Sequence, residues 1–512
     1  MQARLIPAIL EGKDVLLKDR TGSGKSFGLV LALLNKPRLV SKDERRQNKR
    51  HITSLVIVPH RELAYQLLHW IERMVNVGEH APPLSSIAQV LVRDGRMHLD
   101  TGLQTLQKES PHVLIGTPQA IMDVYEAHPK VLQLDTLSSV VVDEVDYLIE
   151  TLARKDPGKS FKRAIEKAKR KLQAHPGTTR QLLDVIYARR REVNARRQDE
   201  PGLEIARRRN GQPSSTPMPP SPQLVVSSAT LRTHLRNYLY DESGWLDKDN
   251  VVKISGTGAK PAEEVQANDG TRKEGQNASV EHSVLLVSEQ RVRNIPGSAT
   301  GASSVPSLGE EAVNGETGAC KSVNEADDID PGLIQKYSTT ASPYNPSMME
   351  TVAAAFALDV PSIALLVLPS SAPVQRAVWE LRELGVDAHG LDLESSANGR
   401  SYLASGGGAE TSRANPVLLV STLATTRGLD LPALSHVFIY GLPEGDRVNG
   451  KAVDAYVHIS GRVGRFGRPG KVVSVVEEKE SESDSDESAS GEKMARILRA
   501  VGVGPVQFAA FA

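Results

Sequence analysis

The stretch DVLLKDRTGSGKS, residues 14–26, followed by the helical run FGLVLALL, residues 27–34, decides the fold. An apolar strand enters a glycine-containing turn and leaves as a helix. Gly22 and Gly24 let backbone N–H groups close on phosphate oxygens at the positive end of that helix. Lys25 has the reach for the β- and γ-phosphates, and the Ser26 hydroxyl can ligate Mg²⁺. The strict spacing GxxxxGK[ST] fails at its first position, where Asp19 stands. A glycine-rich turn with a stray lysine would not come with strand, turn and helix in this order. A phosphate-binding loop is therefore expected.

A second element follows one domain-length later. Asp143-Glu144-Val145-Asp146 comes straight after the strand-like SVVV, and a carboxylate at a strand's C-terminal end faces the ligand crevice of an open α/β sheet. Asp143 would hold Mg²⁺, directly or through water, and Glu144 would polarise an attacking water. Alone, such an acidic string is usually a solvated loop. Its weight comes from its distance to the phosphate loop.

Around these motifs the chain alternates short apolar runs with amphipathic ones. SLVIVP (54–59), HVLIG (112–116), SVVVDE (139–144) and QLVVSS (223–228) fill the first half. SVLLV (283–287), IALLVLP (363–369), PVLLVST (416–422), HVFIYGL (436–442) and KVVSVV (471–476) fill the second. Continuous Val/Leu/Ile runs are the mark of parallel strands buried on both faces. Segments such as 62–75 and 373–385 supply the crossover helices. Two open α/β domains are predicted, 1–254 and 279–512, joined by a linker at 255–278.

Three further stretches break the rhythm. Residues 152–222 read as a basic, partly helical insertion followed by a Pro/Ser-rich loop. Residues 288–347 are poor in large apolar side chains, so disorder is expected. Residues 477–492 read as an acidic, solvated loop.

The 512 residues carry 62 Lys+Arg against 62 Asp+Glu, but the zero total averages opposed blocks, basic at 154–209 and acidic at 477–492. Such segregation points to charged partners. The single cysteine, Cys320, excludes a disulfide framework and a cysteine-based zinc module. No apolar run reaches the ~18–20 residues that span a bilayer, so a soluble protein with no membrane partner is expected. The start, MQARLIPAIL, lacks a secretory pattern and looks structured from residue 2, as a chain with a missing leader would.

In their order, these motifs resemble the DEAD-box ATP-dependent RNA helicases of superfamily 2. Gln2 with IPAILEGKDVL resembles the family's adenine-reading Q motif. Thr21-Gly22-Ser23-Gly24-Lys25-Ser26 is similar to motif I, VPHRELAYQ (58–66) with Arg61 to motif Ia, and IGTPQAIMD (115–123) with Thr117 and Pro118 to motif Ib. The DEVD stretch resembles motif II, and Ser228-Ala229-Thr230 motif III. Thr422 with Arg427-Gly428-Leu429-Asp430 resembles motif V, and YVHISGRVGRFGR (456–468) motif VI.

The resemblance implies two tandem RecA-like domains of the P-loop NTPase type, with parallel sheets flanked by helices. ATP with Mg²⁺ would bind in the cleft between them. Gln2 would read the adenine, Asp430 the ribose, motifs I and II the phosphates and metal, and Lys25 and Glu144 would serve catalysis. Arg462 and Arg465 would be arginine fingers. Arg61, Thr117, Pro118, Thr422, Arg427 and Gly428 would contact RNA phosphates. Asp146, Ser228, Thr230 and His458 would couple the domains.

Some positions depart from the family: Asp19 beside the phosphate loop, Leu423 for an acidic residue, Ile459 for an arginine. These departures motivate a rival reading, a nucleotide-gated RNA clamp or assembly factor with little unwinding. A DNA translocase is disfavoured by Gln2 and by motifs Ia and V. HISGR and the large insertions resemble fungal mitochondrial helicases of ribosome assembly. That resemblance implies pre-ribosomal proteins as partners and the mitochondrion as compartment. The arginine triplets speak for the nucleus or nucleolus instead. In the basic insertion, RNA tethering is favoured over a merely solvated helix.

Overall fold

The computed structural model describes residues 1–42, 48–76, 82–93, 99–151, 159–199, 221–256, 280–300, 331–393, 416–443, 450–465, 468–478 and 490–511. Two compact units emerge, each built on its own sheet.

The first unit contains β1 (Asp14–Lys18), a small hairpin of β2 (Val40–Lys42) and β3 (Asn48–Arg50), β4 (Ser54–Ile57), β5 (Ala88–Leu91), β6 (Val113–Gly116), β7 (Ser139–Val142), β8 (Gln223–Ser228) and β9 (Val251–Ser255). Its main sheet is parallel throughout, in the order β5-β6-β4-β7-β8-β1-β9. Both faces are covered, and the residues show why. Val15 and Leu17 pack into one core cluster and Leu16 into the other; Val141 faces one side, Val140 and Val142 the opposite. Unbroken apolar strands suit this position, because alternation would bury a polar residue on one face. Helices α1 (Gln2–Leu10), α2 (Lys25–Leu34) and α3 (Arg61–Val75) carry buried residues into one of these clusters.

The second unit holds β10 (Val280–Val287), β11 (Val292–Asn294), β12 (Ile363–Leu368), β13 (Ala388–Gly390), β14 (Val417–Thr422), β15 (Leu434–Tyr440) and β16 (Gly470–Glu477). Their order is β11-β10-β16-β15-β12-β14-β13, parallel except for the β10–β11 hairpin. Every apolar run named from sequence is a strand. The short edge strands β5, β9, β11 and β13 have weaker patterns and come from pairing. No helix among the described residues is long and apolar enough to cross a membrane.

The interrupting stretches need correction. Within 152–222, helices span Lys159–Ala174, Thr178–Ile186 and Ala188–Asp199. The middle one belongs to the core: its Leu182 and Leu183, and Tyr187 just after it, are fully buried. Arg190 donates to Asp14 Oδ2 at 2.7 Å and to the carbonyls of Trp245 and Pro222. A cation thus locks this segment to β1.

Residues 288–300 are likewise ordered, ending in a bridge between Ala299 and Val506. Residues 331–347 carry a helix, Pro331–Thr339, gripped by Arg376, whose guanidinium stacks on Tyr337 and donates to the Tyr337 and Thr340 carbonyls. Charge and small residues disguised both segments, which bind through a few anchors and not through apolar periodicity. Residues 152–158, 200–220, 257–279, 301–330 and 479–489, where the rest of the expected insertion, linker, disorder and acidic loop falls, lie outside the described residues.

Candidate nucleotide site

In a parallel sheet all C-terminal strand ends share one edge. Here β7, β8 and β1 are neighbours, so the phosphate loop after β1, Asp143 after β7 and Ser228 at the end of β8 meet there. Gly22 and Gly24 adopt φ of +74° and +79°, the left-handed region, which lets the loop turn into α2. Lys25 opens that helix, and its Nζ donates to the carbonyls of Asp19 and Arg20, each at 2.8 Å. Two loop carbonyls therefore aim the ammonium. The Gln2 side chain reaches across from α1 and donates from Nε2 to the Gly24 carbonyl at 3.2 Å.

The Asp19 side chain turns toward the β9 end. Its carboxylate accepts from the Arg20 N–H at 2.9 Å and packs against Gly256, where a Cβ would fall 2.0 Å from Asp19 Oδ1. The pairing of Asp19 with a glycine across the β1–β9 edge accommodates the departure from the family pattern.

Ser26 Oγ donates to Asp143 Oδ2 at 2.7 Å, and Ser227 Oγ donates to Asp143 Oδ1. Ser227 was missed from sequence; its signal was its place on β8, next to the strand that ends in Asp143. Glu144 follows with φ +55°, one of two non-glycine residues with positive φ among the described residues, and its N–H donates to Asp143 Oδ1 at 3.1 Å. Strain of this kind, on the order of 1–3 kcal/mol, collects at functional sites. Asp146 accepts from Ser228 Oγ at 2.7 Å and from Thr230 Oγ1 at 2.6 Å, which joins motifs II and III into one network.

These residues fit a Mg²⁺-nucleotide. Ser26 and Asp143 form a hard-oxygen pair suited to Mg²⁺. The Ser23 hydroxyl is shielded from solvent without a hydrogen-bond partner among the described residues, an orphan that a phosphate oxygen would satisfy.

Of the expected RNA contacts in this unit, Arg61 starts α3 and pairs with Glu62 at 2.9 Å. Thr117 and Pro118 start the helix Pro118–Ala127. His60 acts as the cap of α3, its Nδ1 accepting from the Leu63 N–H at 3.3 Å.

The second unit places its residues around the ends of β14 and the helix Gly450–Ser460. Thr422 closes β14, with Thr425 Oγ1 within 3.0 Å of its hydroxyl. Arg427 and Gly428 follow in a turn that groups with the first unit, Gly428 at φ +73°. His458 sits in the last helical turn, and Arg462 Nε donates to its carbonyl at 2.8 Å. Arg465 is held twice: its Nε donates to the Gly461 carbonyl at 3.0 Å and its Nη1 to the Asp430 carboxylate. The residue expected on the ribose thus buttresses an expected finger. The Ile459 and Leu423 side chains are both buried, so both departures serve packing.

Comparison with known proteins agrees with this geometry. A family model described as DEAD/DEAH box helicase matches residues 1–191, and one described as helicase conserved C-terminal domain matches 408–467. The chain is 32% identical over 160 residues to the ATP-dependent rRNA helicase SPB4 of Candida glabrata, covering 30% of this chain and 25% of that protein. It is 25% identical over 488 residues to the ATP-dependent RNA helicase mak5 of Aspergillus oryzae, covering 93% of this chain and 51% of that protein. The chain therefore spans about half the length, or less, of these curated relatives. In fold it is similar to S. cerevisiae Dbp5 bound to RNA and ADP BeF3, with a TM-score of 0.51, 17% identity, and coverage of 99% of this chain and 88% of that one. With phosphate loop, strand-end carboxylates and both family models in chain order, the chain is similar to the DEAD-box ATP-dependent RNA helicases.

Proposed function

We propose that the protein hydrolyses ATP on its first domain and uses the cycle to remodel short RNA duplexes or RNA–protein complexes. The observation that carries this reading is the bonded set Ser26, Asp143 and Ser227 at one sheet edge, beside Lys25, which the Asp19 and Arg20 carbonyls hold. Lys25 would bind the β/γ-phosphates, Gly22 and Gly24 would let backbone amides close on them, and Gln2 would read the adenine. Ser26 and Asp143 would hold Mg²⁺, which when bound neutralises phosphate charge. Glu144 would orient the attacking water. Arg462 and Arg465, supplied by the second domain, would stabilise transition-state charge, a contribution worth ~10³–10⁵ in rate for such fingers. The Asp146–Ser228–Thr230 network would transmit the nucleotide state to RNA.

RNA as partner is supported by the matches to motifs Ia, Ib and V and by relatives named RNA helicases. Ribosome assembly is supported by the rRNA helicase among those relatives. The mitochondrion as compartment rests on HISGR and the insertions, with the nucleolus as rival; imaging the tagged natural protein decides between them. The test of activity is ATP turnover with RNA and with DNA of equal length, together with unwinding of a short duplex. RNA-selective stimulation is expected, and no stimulation by either refutes the proposal. ATP-dependent RNA binding without stimulated turnover would favour the clamp, the second reading motivated by Asp19, Leu423 and Ile459.

A further inference from the structure

The cations between residues 159 and 199 are divided by the fold into two sets. Arg180 and Arg190 are consumed by the core: Arg180 donates to the Glu150 carbonyl and stacks on Tyr238 at 4.3 Å, and Arg190 is buried against Asp14. Lys167, Lys169, Arg170, Lys171, Arg189 and Arg191 are exposed instead. Four of these six lie on the helix Lys159–Ala174, whose sequence holds seven Lys or Arg and one acidic residue, Glu166. At 1.5 Å per residue that helix is about 24 Å long. In its C-terminal half, Glu166, Lys167, Lys169, Arg170, Lys171, Gln173 and Ala174 are exposed. The four cations sit together near the C-terminal end of this helix, where their charges add.

The root of this helix is placed with purpose. After Pro176-Gly177 the chain enters the helix Thr178–Ile186, which packs against the helix Pro118–Ala127. The first residues of that partner, Thr117 and Pro118, are the motif Ib positions. The basic helix is therefore joined, through Pro176-Gly177, to a helix that packs on the one opened by the motif Ib residues.

We propose that the helix Lys159–Ala174 is an accessory RNA-binding arm that holds the strand's phosphates without reading sequence and without needing nucleotide. Seven of its sixteen residues are lysine or arginine and a single one, Phe161, is aromatic, so it offers charge and not base stacking. The arm rests on the proposed RNA substrate, but it is testable apart from ATP turnover.

The experiment is fluorescence anisotropy of a labelled 20-nucleotide single-stranded RNA on the full chain, in the absence of nucleotide, over a salt series. Wild type is compared with the combined Lys167→Gln, Lys169→Gln, Arg170→Gln and Lys171→Gln variant. Four neutralised phosphate contacts at ~0.7 each make the wild-type slope of log K against log salt about 3 units steeper, so raising salt from 50 to 200 mM weakens wild type roughly fiftyfold more than the variant. Scrambling the RNA sequence leaves both affinities unchanged. The exposed positions keep the fold, checked by equal thermal midpoints. Equal slopes and affinities overturn the arm, as does a variant that binds RNA normally yet loses binding to an acidic peptide. If RNA fails to stimulate wild-type ATPase while the slope difference persists, the arm stands and the helicase reading falls.

Discussion

Gly24→Ala tests the contact between the phosphate loop and Gln2. Gly24 sits at φ +79°, where an L-residue costs about 1–2 kcal/mol. Its new Cβ would also lie 2.8 Å from Gln2 Nε2, so the amide must leave the Gly24 carbonyl, at about 1 kcal/mol for a neutral hydrogen bond. A loop forced away from this geometry no longer presents its amides to phosphate, so ATP affinity should drop by up to about 2–3 kcal/mol, or roughly 30- to 150-fold.

The assay is titration with a fluorescent ATP analogue, repeated in a Gln2→Ala background. There the same Gly24→Ala step meets no amide and should cost only the backbone strain, about 1 kcal/mol less. An affinity within about threefold of wild type would refute the strain argument. An equal loss in both backgrounds would show that Gln2 and Gly24 are energetically independent.

Other perturbations probe separate parts of the molecule. Lys25→Ala should abolish ATP turnover while the domain stays folded; turnover at wild-type rates would remove the loop from the reaction. Arg465→Ala should leave ATP affinity nearly intact and lower turnover by about a thousandfold or more, measured by steady-state kinetics, because a finger acts in the transition state. Breaking the buried Arg190–Asp14 pair with Arg190→Met should destabilise by about 3–5 kcal/mol in urea unfolding, because Asp14 keeps its burial without its cation.

A pH dependence follows from Lys36, whose ammonium is enclosed by Ser139 Oγ and Gln223 Oε1 with burial holding its pKa down to about 8, against 10.5 in the unfolded chain. Below pH 8 both states are protonated and the burial penalty is present in full. From 8 to 10.5 the unfolded state binds more protons, so stability rises with pH by up to about 1.4 kcal/mol per unit. Urea unfolding of wild type and Lys36→Met across that range should show the rise in wild type alone.

The amino-acid order alone determined the central strands, because parallel strands buried on both faces need unbroken apolar runs such as SVVV and SLVIV. It also determined the phosphate loop and the strand-end carboxylates, because their chemistry is written in adjacent residues. What it left undecided depends on partners far apart in the chain. Ser227 became a ligand of Asp143 only because β8 lies beside β7, and Asp19 proved tolerable only because Gly256 stands opposite it. The arginines of 154–209 looked alike in sequence. Tertiary packing chose Arg180 and Arg190 for the core and left Lys167, Lys169, Arg170 and Lys171 to solvent, since a buried cation needs acceptors that only a folded neighbour can provide.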